Sequence, residues 1–441
     1  MTGSADTITQ TRTLSRRTFL RAAATTAAVP AGLSLAGCGG SDGGSTKGAL
    51  SFVYMGDAEQ QDQFEKLFAE FNKVHPEIEL DAQGIPSGNW ATFANTVSTR
   101  IAGGQVPDIV QIATEGQRIF ASKGLLEPLD DFIAQDKKLV DDYFADINPN
   151  LVKWNTEYAS HDGQTYYMPG GFNTMCLYVN TEIFAAAGVE IPAEGTWTWD
   201  EFAAAGERIK QKTGAFLIPA NSGYFTDVMP WLTTNGTSPL NADWSAATLD
   251  SPEAAEAAAF VRDLVEAGLA PEPGGQFDAP SQMKQGKLAT LGGGRWPVID
   301  LRRLGLVEKT MVMAWPTRTG HGSPIGWDAW PIMKASKNKE DAWTFLKFLI
   351  SKEAASFFAT LGGTIVPARR SVAASPDFLD NAPAHSERLS EAVSYATPIP
   401  SPDRGAECQQ VIEEAWLKVL SGNGAADETL AAANEKLGTL L

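Results

Sequence analysis

Cysteine is nearly absent, with three in 441 residues, at positions 38, 176 and 408. That is too few for a disulfide-stapled scaffold, and no CxxC pair is present to hold zinc. Histidine is almost as scarce. The four residues His75, His161, His321 and His385 are scattered without ligand spacing, so no metal and no cofactor is expected. Positive charge is in deficit, 35 basic against 53 acidic residues, for a formal net charge of −18. That balance argues against a basic face for nucleic acid or an anionic lipid surface. The sequence has no GxSxG elbow, no HExxH and no GxxxxGK[ST] loop, which lowers the case for an enzyme. A secreted glycosidase needs only two carboxylates at the right separation, and 53 acids leave such a pair open. No apolar run is long enough to span a bilayer.

What is present begins with an ordered leader. Ser15-Arg16-Arg17-Thr18-Phe19-Leu20-Arg21 reads as a twin-arginine export signal, a short apolar run extends from Ala22 to Leu35, and Leu35-Ala36-Gly37-Cys38 follows. The last four residues resemble a bacterial lipoprotein box, whose cysteine is acylated and becomes the new N-terminus. Residues 1–37 are therefore expected to be removed. Acyl chains on Cys38 would hold the rest at the outer face of the cell membrane, at about 0.8 kcal/mol per buried methylene. Residues 38–48 are rich in Gly, Ser, Asp and Thr and read as a flexible tether. Cys176 and Cys408 could pair outside the membrane or remain two buried thiols.

The body has 43% hydrophobic residues over the whole chain, enough for a real core, and alternates strand and helix signals. Leu50–Tyr54 reads as a strand. Asp57 can cap a helix carrying Phe64, Leu67, Phe68 and Phe71 at i, i+3, i+4 and i+7. A second strand is expected at Ile78–Ala82. A helix capped by Asn89 and a third strand at Asp108–Ile112 follow, which together imply a parallel sheet. A second run of the same character holds a strand at Met175–Val179 and a capping box, Thr198 with Glu201, opening a helix that ends near Gly214. Ser251-Pro252 starts another helix that Gly268 stops. A strand at Leu288–Leu291 runs into three glycines, and later helices fall at Glu340–Ile350, Gln409–Leu420 and Asp427–Leu440. Two α/β lobes fit this content better than one long sheet.

Four groups of segments carry a resemblance. They are Gly104-Gln105-Val106-Pro107-Asp108-Ile109-Val110 with Gly124-Leu125-Leu126-Glu127-Pro128-Leu129; Asp162-Gly163-Gln164-Thr165-Tyr166-Tyr167-Met168-Pro169 with Leu177-Tyr178-Val179-Asn180-Thr181-Glu182-Ile183-Phe184 and Trp197-Thr198-Trp199-Asp200-Glu201-Phe202; Gly286-Lys287-Leu288-Ala289 with Gly292-Gly293-Gly294-Arg295-Trp296; and Ser336-Lys337-Asn338-Lys339 with Ala342-Trp343-Thr344-Phe345-Leu346. In order and spacing the chain from about Leu50 onward resembles the carbohydrate-binding family of extracellular solute-binding proteins that serve ABC importers, the maltose-binding-protein-like group. The resemblance implies an α/β fold of the type II periplasmic-binding-protein class, with two hinge-linked lobes around a cleft. Residues 49–170 and 317–367 would form lobe 1, and 171–316 and 368–441 lobe 2. Crossings are expected near Pro169–Asn173, Trp315-Pro316 and Val366-Pro367-Ala368. The implied protein is a monomer that catalyses nothing, captures a sugar or oligosaccharide and presents it to a membrane permease.

A sugar offers hydroxyl rims and an apolar face, which carboxylates, amides and aromatic rings can answer. Glu115 stands just past the third strand, at the C-terminal sheet edge where open α/β folds bind ligands, and matches a family position for a hydroxyl-binding carboxylate. Phe172 and Asn173 fall at the first crossing. Tyr224-Phe225-Thr226 resembles a segment of the maltose-type binders that stacks on sugar, with Tyr224 as the ring. Trp296 follows three glycines and matches a frequent stacking platform. Trp327 and Asp328 put a ring and a carboxylate side by side. Asp57, whose cap role stands first, and Arg404, in the Pro-rich loop, complete the candidates. Trp90, Trp197, Trp199, Trp343 and Trp416 read as packing. Asn173 replaces an acid of the maltose-type cleft and Ile112 a tryptophan, so the ligand need not be a maltodextrin. Arg295 and Arg404 keep open a phosphorylated polyol, such as a glycerol phosphate ester.

Overall fold

The computed structural model describes residues 48–160, 162–275 and 277–441. The export signal, Cys38, the tether up to Lys47 and His161 lie outside the described residues.

Strand β1 (Leu50–Met55) leads into Asp57, whose carboxylate accepts from the Gln60 N–H while the Gln60 side chain accepts from the Asp57 N–H. That reciprocal cap starts the helix Ala58–Val74, which buries Phe64, Leu67, Phe68 and Phe71. Phe71 meets Phe345 edge-on at 4.9 Å and Phe52 meets it at 5.4 Å, so one aromatic knot joins strand and helix. Strands β2 (Leu80–Ile85) and β3 (Ile109–Val110) flank β1, both parallel to it. The parallel sheet expected from the alternating pattern is present, with β2 shifted two residues downstream of its expected start.

The expected third strand is broken. Strand β3 stops at Val110, and β4 (Ile112–Ala113) pairs antiparallel with β9 (Ser323–Trp330) in another sheet. Gln111 is the pivot. Its N–H bonds Val53 O in the first sheet, while its side-chain amide donates to Asp328 in the second. The centre of that second sheet is β9. Beside it β5 (Met168–Thr174) runs antiparallel, with an irregularity between Pro169 and Gly171, and β10 (Val366–Pro367) pairs with β5. On the other side of β9 lies β11 (Ala396–Pro398), parallel to it.

A third sheet is built on β6 (Cys176–Asn180), between β7 (Thr290–Gly293) and β8 (Thr310–Ala314). Both pairings are antiparallel, unlike the parallel character expected for this half. Periodicity locates a strand but not the end from which the chain re-enters it, and here five α-helices between β6 and β7 return the chain head-to-tail. Two of those helices carry the expected signals, the Thr198/Glu201 capping box and the left-handed Gly214 C-cap on Trp199–Thr213, and the Ser251 cap on Pro252–Glu266.

Buried side chains form two clusters. The first holds Phe52, Phe71, Phe93, Tyr143, Tyr167 and Trp327, and the second Leu177, Trp199, Phe202, Trp231, Trp416 and Leu437. Strand β6 alternates between them, Cys176 and Tyr178 to the first, Leu177 and Val179 to the second, as period-2 side chains must. The helices Gly405–Leu420, which starts four residues before its expected position, and Ala426–Gly438 close the second cluster. Cys176 and Cys408 are buried, free thiols in different clusters, which settles the open alternative against a bond. Burial pushes the Cys176 thiol up to about 12 and the Cys408 thiol to about 11. Among the described residues no helix is long and apolar enough to cross a membrane.

Candidate ligand-binding cleft

A cavity of about 560 Å³ opens where the strand ends of the first two sheets meet the second cluster. Its size is within the range of roughly 300–1,000 Å³ usual for small-molecule pockets. Seven of the nine expected residues line it: Asp57, Glu115, Asn173, Tyr224, Trp296, Trp327 and Asp328.

Each is positioned by local structure. Asp57 sits at the mouth of β1 with its carboxylate engaged in the helix cap. Glu115 is in the first turn of the helix Thr114–Ser122, and the helix start follows β4 directly. Burial raises its carboxyl to about 7, with a backbone N–H bond offsetting only part of the shift. Asp328 faces Ala113 across the β4–β9 ladder, and Glu115 follows Ala113 by two residues, so the two acids belong to neighbouring parts of the cavity wall. Burial raises Asp328 to about 6 against the opposing pull of the Gln111 side chain and the Gly171 N–H. Asn173 accepts the Arg295 N–H at 2.8 Å and donates to Thr364 O at 3.1 Å, tying β5 to the Gly-rich loop and to the segment before β10.

Tyr224 opens a single π-helical turn, Tyr224–Val228, a rare element that recurs at functional sites. Its ring is 3% exposed and its hydroxyl donates to Pro400 O at 3.2 Å. The neighbouring Phe225 is the more accessible ring, 6.2 Å from half-buried Trp296. A side chain on Gly294 would sit 2.5 Å from the Trp296 ring, so the glycine run lets that indole lie against its own backbone.

Two expected residues do not line the cavity. Phe172 is turned into the first cluster, where its backbone pairs with Trp327 and Val366. Alternation explains this, because adjacent residues of a strand point to opposite faces and Asn173 takes the cleft side. Arg404 is exposed and forks onto Glu407, with Nε to Oε1 at 2.8 Å and a second short contact beside it. Arg295 is also turned away. It is 1% exposed, donates to Phe378 O at 2.7 Å and lies 4.1 Å over the Phe378 ring.

Sequence reasoning missed Gln111, Trp90, Phe225 and Trp330, all of which line the cavity. Trp90 was expected to pack, yet it is half-buried with its edge on Phe93. It is the first residue of a helix after a parallel strand, and the sheet-edge argument that found Glu115 could have found it. Trp197, Trp199, Trp343 and Trp416 are buried, as expected.

The described lining has four carboxylates, Asp57, Glu115, Asp328 and Glu413, and no lysine, arginine or histidine. Four buried polar atoms on lining residues have no protein partner: Asp328 Oδ1, Gln111 Oε1, Trp327 Nε1 and Trp330 Nε1. Buried polar groups are normally satisfied, so these four are open hydrogen-bonding positions on residues that line the cavity.

Residues 57–356 match the family described as bacterial extracellular solute-binding protein. A binding protein of Brucella abortus is 26% identical over 397 residues, 86% of this chain and 89% of that one. An arabinooligosaccharide-binding protein of Halalkalibacterium halodurans is 26% identical over 263 residues, 58% of this chain and 56% of that one. Among solved structures, the ABC substrate-binding protein of Listeria monocytogenes in complex with cycloalternan superimposes with a TM-score of 0.76 at 22% identity, covering 89% of this chain and 99% of that one. That likeness shows a shared two-lobe fold.

Proposed function

This chain belongs to the bacterial extracellular solute-binding proteins, and on that premise we propose that it captures a sugar or oligosaccharide in its cleft and delivers it to the permease of an ABC importer. The observation that carries the reading is the cleft itself. Trp90, Phe225, Trp296, Trp327 and Trp330 bring rings to a 560 Å³ cavity that also holds unpartnered carboxylate, amide and indole groups. Rings answer the C–H face of a sugar and the free polar atoms answer its rims. The arabinooligosaccharide and cycloalternan binders are relatives of matching ligand class.

The lobes are assigned to residues 49–170 with 317–367 and 171–316 with 368–441, hinged where the chain crosses. The pairing of Val366 with Phe172 and of Pro367 with Gly171 supports the first and third crossings, since it holds them side by side. Hinge closure would bury the ligand, the motion by which periplasmic binding proteins enclose theirs. The protein works as an exported monomer, tethered through acylated Cys38, and transport energy is supplied by another subunit. No catalytic residue is assigned. A phosphorylated polyol loses its support, because Arg295 and Arg404 bond elsewhere and no base lines the described cavity.

A panel of mono- and oligosaccharides tests this by thermal shift and calorimetry, with product analysis alongside. Ligand binding raises the melting temperature without turnover. Product formation would identify a glycosidase instead, and silence across the panel would remove the sugar.

A further inference from the structure

We propose that the ligand carries a protonated amine, as an amino sugar does, seated between Asp328 and Gln111. This rests on the sugar-capture reading and names the chemical class within it.

The argument starts from one hydrogen bond. Gln111 donates its Nε2 to Asp328 Oδ2, which fixes the two side chains against each other. The remaining oxygens, Gln111 Oε1 and Asp328 Oδ1, are both without partners, on residues 6% and 3% exposed that both line the cavity. The free valence here is therefore two acceptors on one hydrogen-bonded pair. A sugar hydroxyl donates a single hydrogen and can serve one of them. An ammonium donates three and can serve both, with one left for a further oxygen. Glu115 lines the same cavity, its helix starting next to Ala113, the ladder partner of Asp328.

Charge points the same way. Burying a carboxylate without a counter-ion is expensive, and proteins normally supply a cation or let the group take a proton. The described lining supplies no cation. The other two acids are already engaged, Asp57 with the Gln60 N–H and Glu413 with the Tyr224 N–H and Gln409. The raised carboxyls of Asp328 and Glu115 record an uncompensated desolvation that a ligand cation would reverse. The indole faces of the lining attract a cation as well, while Trp327 Nε1 and Trp330 Nε1 remain as donors for hydroxyl oxygens.

Calorimetry on the full chain with matched sets tests this: glucose, glucosamine and N-acetylglucosamine, then the same three forms of galactose. We expect the amine to bind about tenfold or more tightly than its neutral parent, the difference between a charge-assisted and a neutral hydrogen bond. Asp328→Asn should erase the preference. If that variant does not fold, Gln111→Met removes one of the two acceptors and should reduce it. A neutral or N-acetylated form that binds as tightly as the amine would overturn the inference while leaving sugar capture intact, and so would a preference that survives both substitutions. Failure of all six sugars, with no binding in the wider sugar panel, would overturn the proposed function and this inference with it.

Discussion

Tyr158 and Trp244 lie ring on ring, with centroids 4.5 Å apart and planes inclined by 23°. The Tyr158 hydroxyl donates to Ala242 O at 2.9 Å, and the Arg118 guanidinium stands 5.8 Å from the same indole. Arg118 also reaches Asp403 at 3.9 Å. Tyr158 packs on the first cluster, whereas the Trp244 loop leads into Leu249 of the second. None of these residues lines the cavity. Under the proposed lobe division the contact joins residues of the two lobes, and we propose that it acts as a latch on closure without touching the ligand. Trp244→Ala should weaken ligand binding about two- to tenfold, the equivalent of a lost aromatic pair of about 0.5–1.5 kcal/mol. Solution scattering of the ligand-free variant should show a larger radius of gyration than the parent. Unchanged affinity with an unchanged radius would remove the latch.

Trp296 is half-buried and touches Phe225, so truncation opens the cleft floor more than the core. Trp296→Ala should reduce sugar affinity by about tenfold or more, on the order of 1.4 kcal/mol. Its melting temperature should stay close to that of the parent. A dissociation constant that does not move would take the residue out of the site.

The cleft acids also give stability a pH dependence of definite sign. Glu115 is raised from 4.5 to about 7 and Asp328 from 3.8 to about 6. A carboxyl whose pKa is higher in the native state than in the unfolded state binds more protons when folded, so stability falls as pH rises through that interval. The ligand-free protein should lose stability between about pH 4 and pH 7 from these groups, and Glu115→Gln should flatten the upper part of that fall. Melting temperatures across the range, parent against variant, measure the difference. Parallel curves would show that Glu115 is not desolvated.

Much of this architecture is legible in local sequence. Asp57, Asn89, Thr198 and Ser251 each cap the helix that local pattern assigns to them, because a cap depends on residues three or four apart. Glu115, Trp296 and the Trp327-Asp328 pair can be found because sheet-edge position and a glycine run are also local. What fails depends on long-range pairing. Nothing near Gln111 in sequence indicates that Asp328, 217 residues away, takes its amide and diverts the strand. Trp330 reaches the cavity because β9 lies beside β5, where a side chain on Gly170 would meet the Trp330 ring at 2.5 Å. The Phe172 assignment has the right strand and the wrong face, an error of one residue in a period of two.

Two glycines separate site geometry from backbone strain. A methyl group on Gly294 would stand 2.5 Å from Asn173 Oδ1 and 2.5 Å from the Trp296 ring. Asn173 holds Arg295 N–H and Thr364 O through its two amide atoms, so it cannot retreat without releasing both. Trp296 would have to leave its position against the glycine backbone. Gly286 presents the opposite case, with a left-handed φ of +71° and open space around its missing side chain. Gly286→Ala should therefore cost about 1–2 kcal/mol of stability through backbone strain alone and leave ligand affinity unchanged. Gly294→Ala should lower affinity about tenfold or more, because it displaces two lining residues at once. Paired denaturation and calorimetry on the two variants read both axes. If Gly294→Ala loses stability but keeps its affinity, Asn173 and Trp296 do not hold the ligand, and the cleft floor must be sought at Trp90 and Trp330.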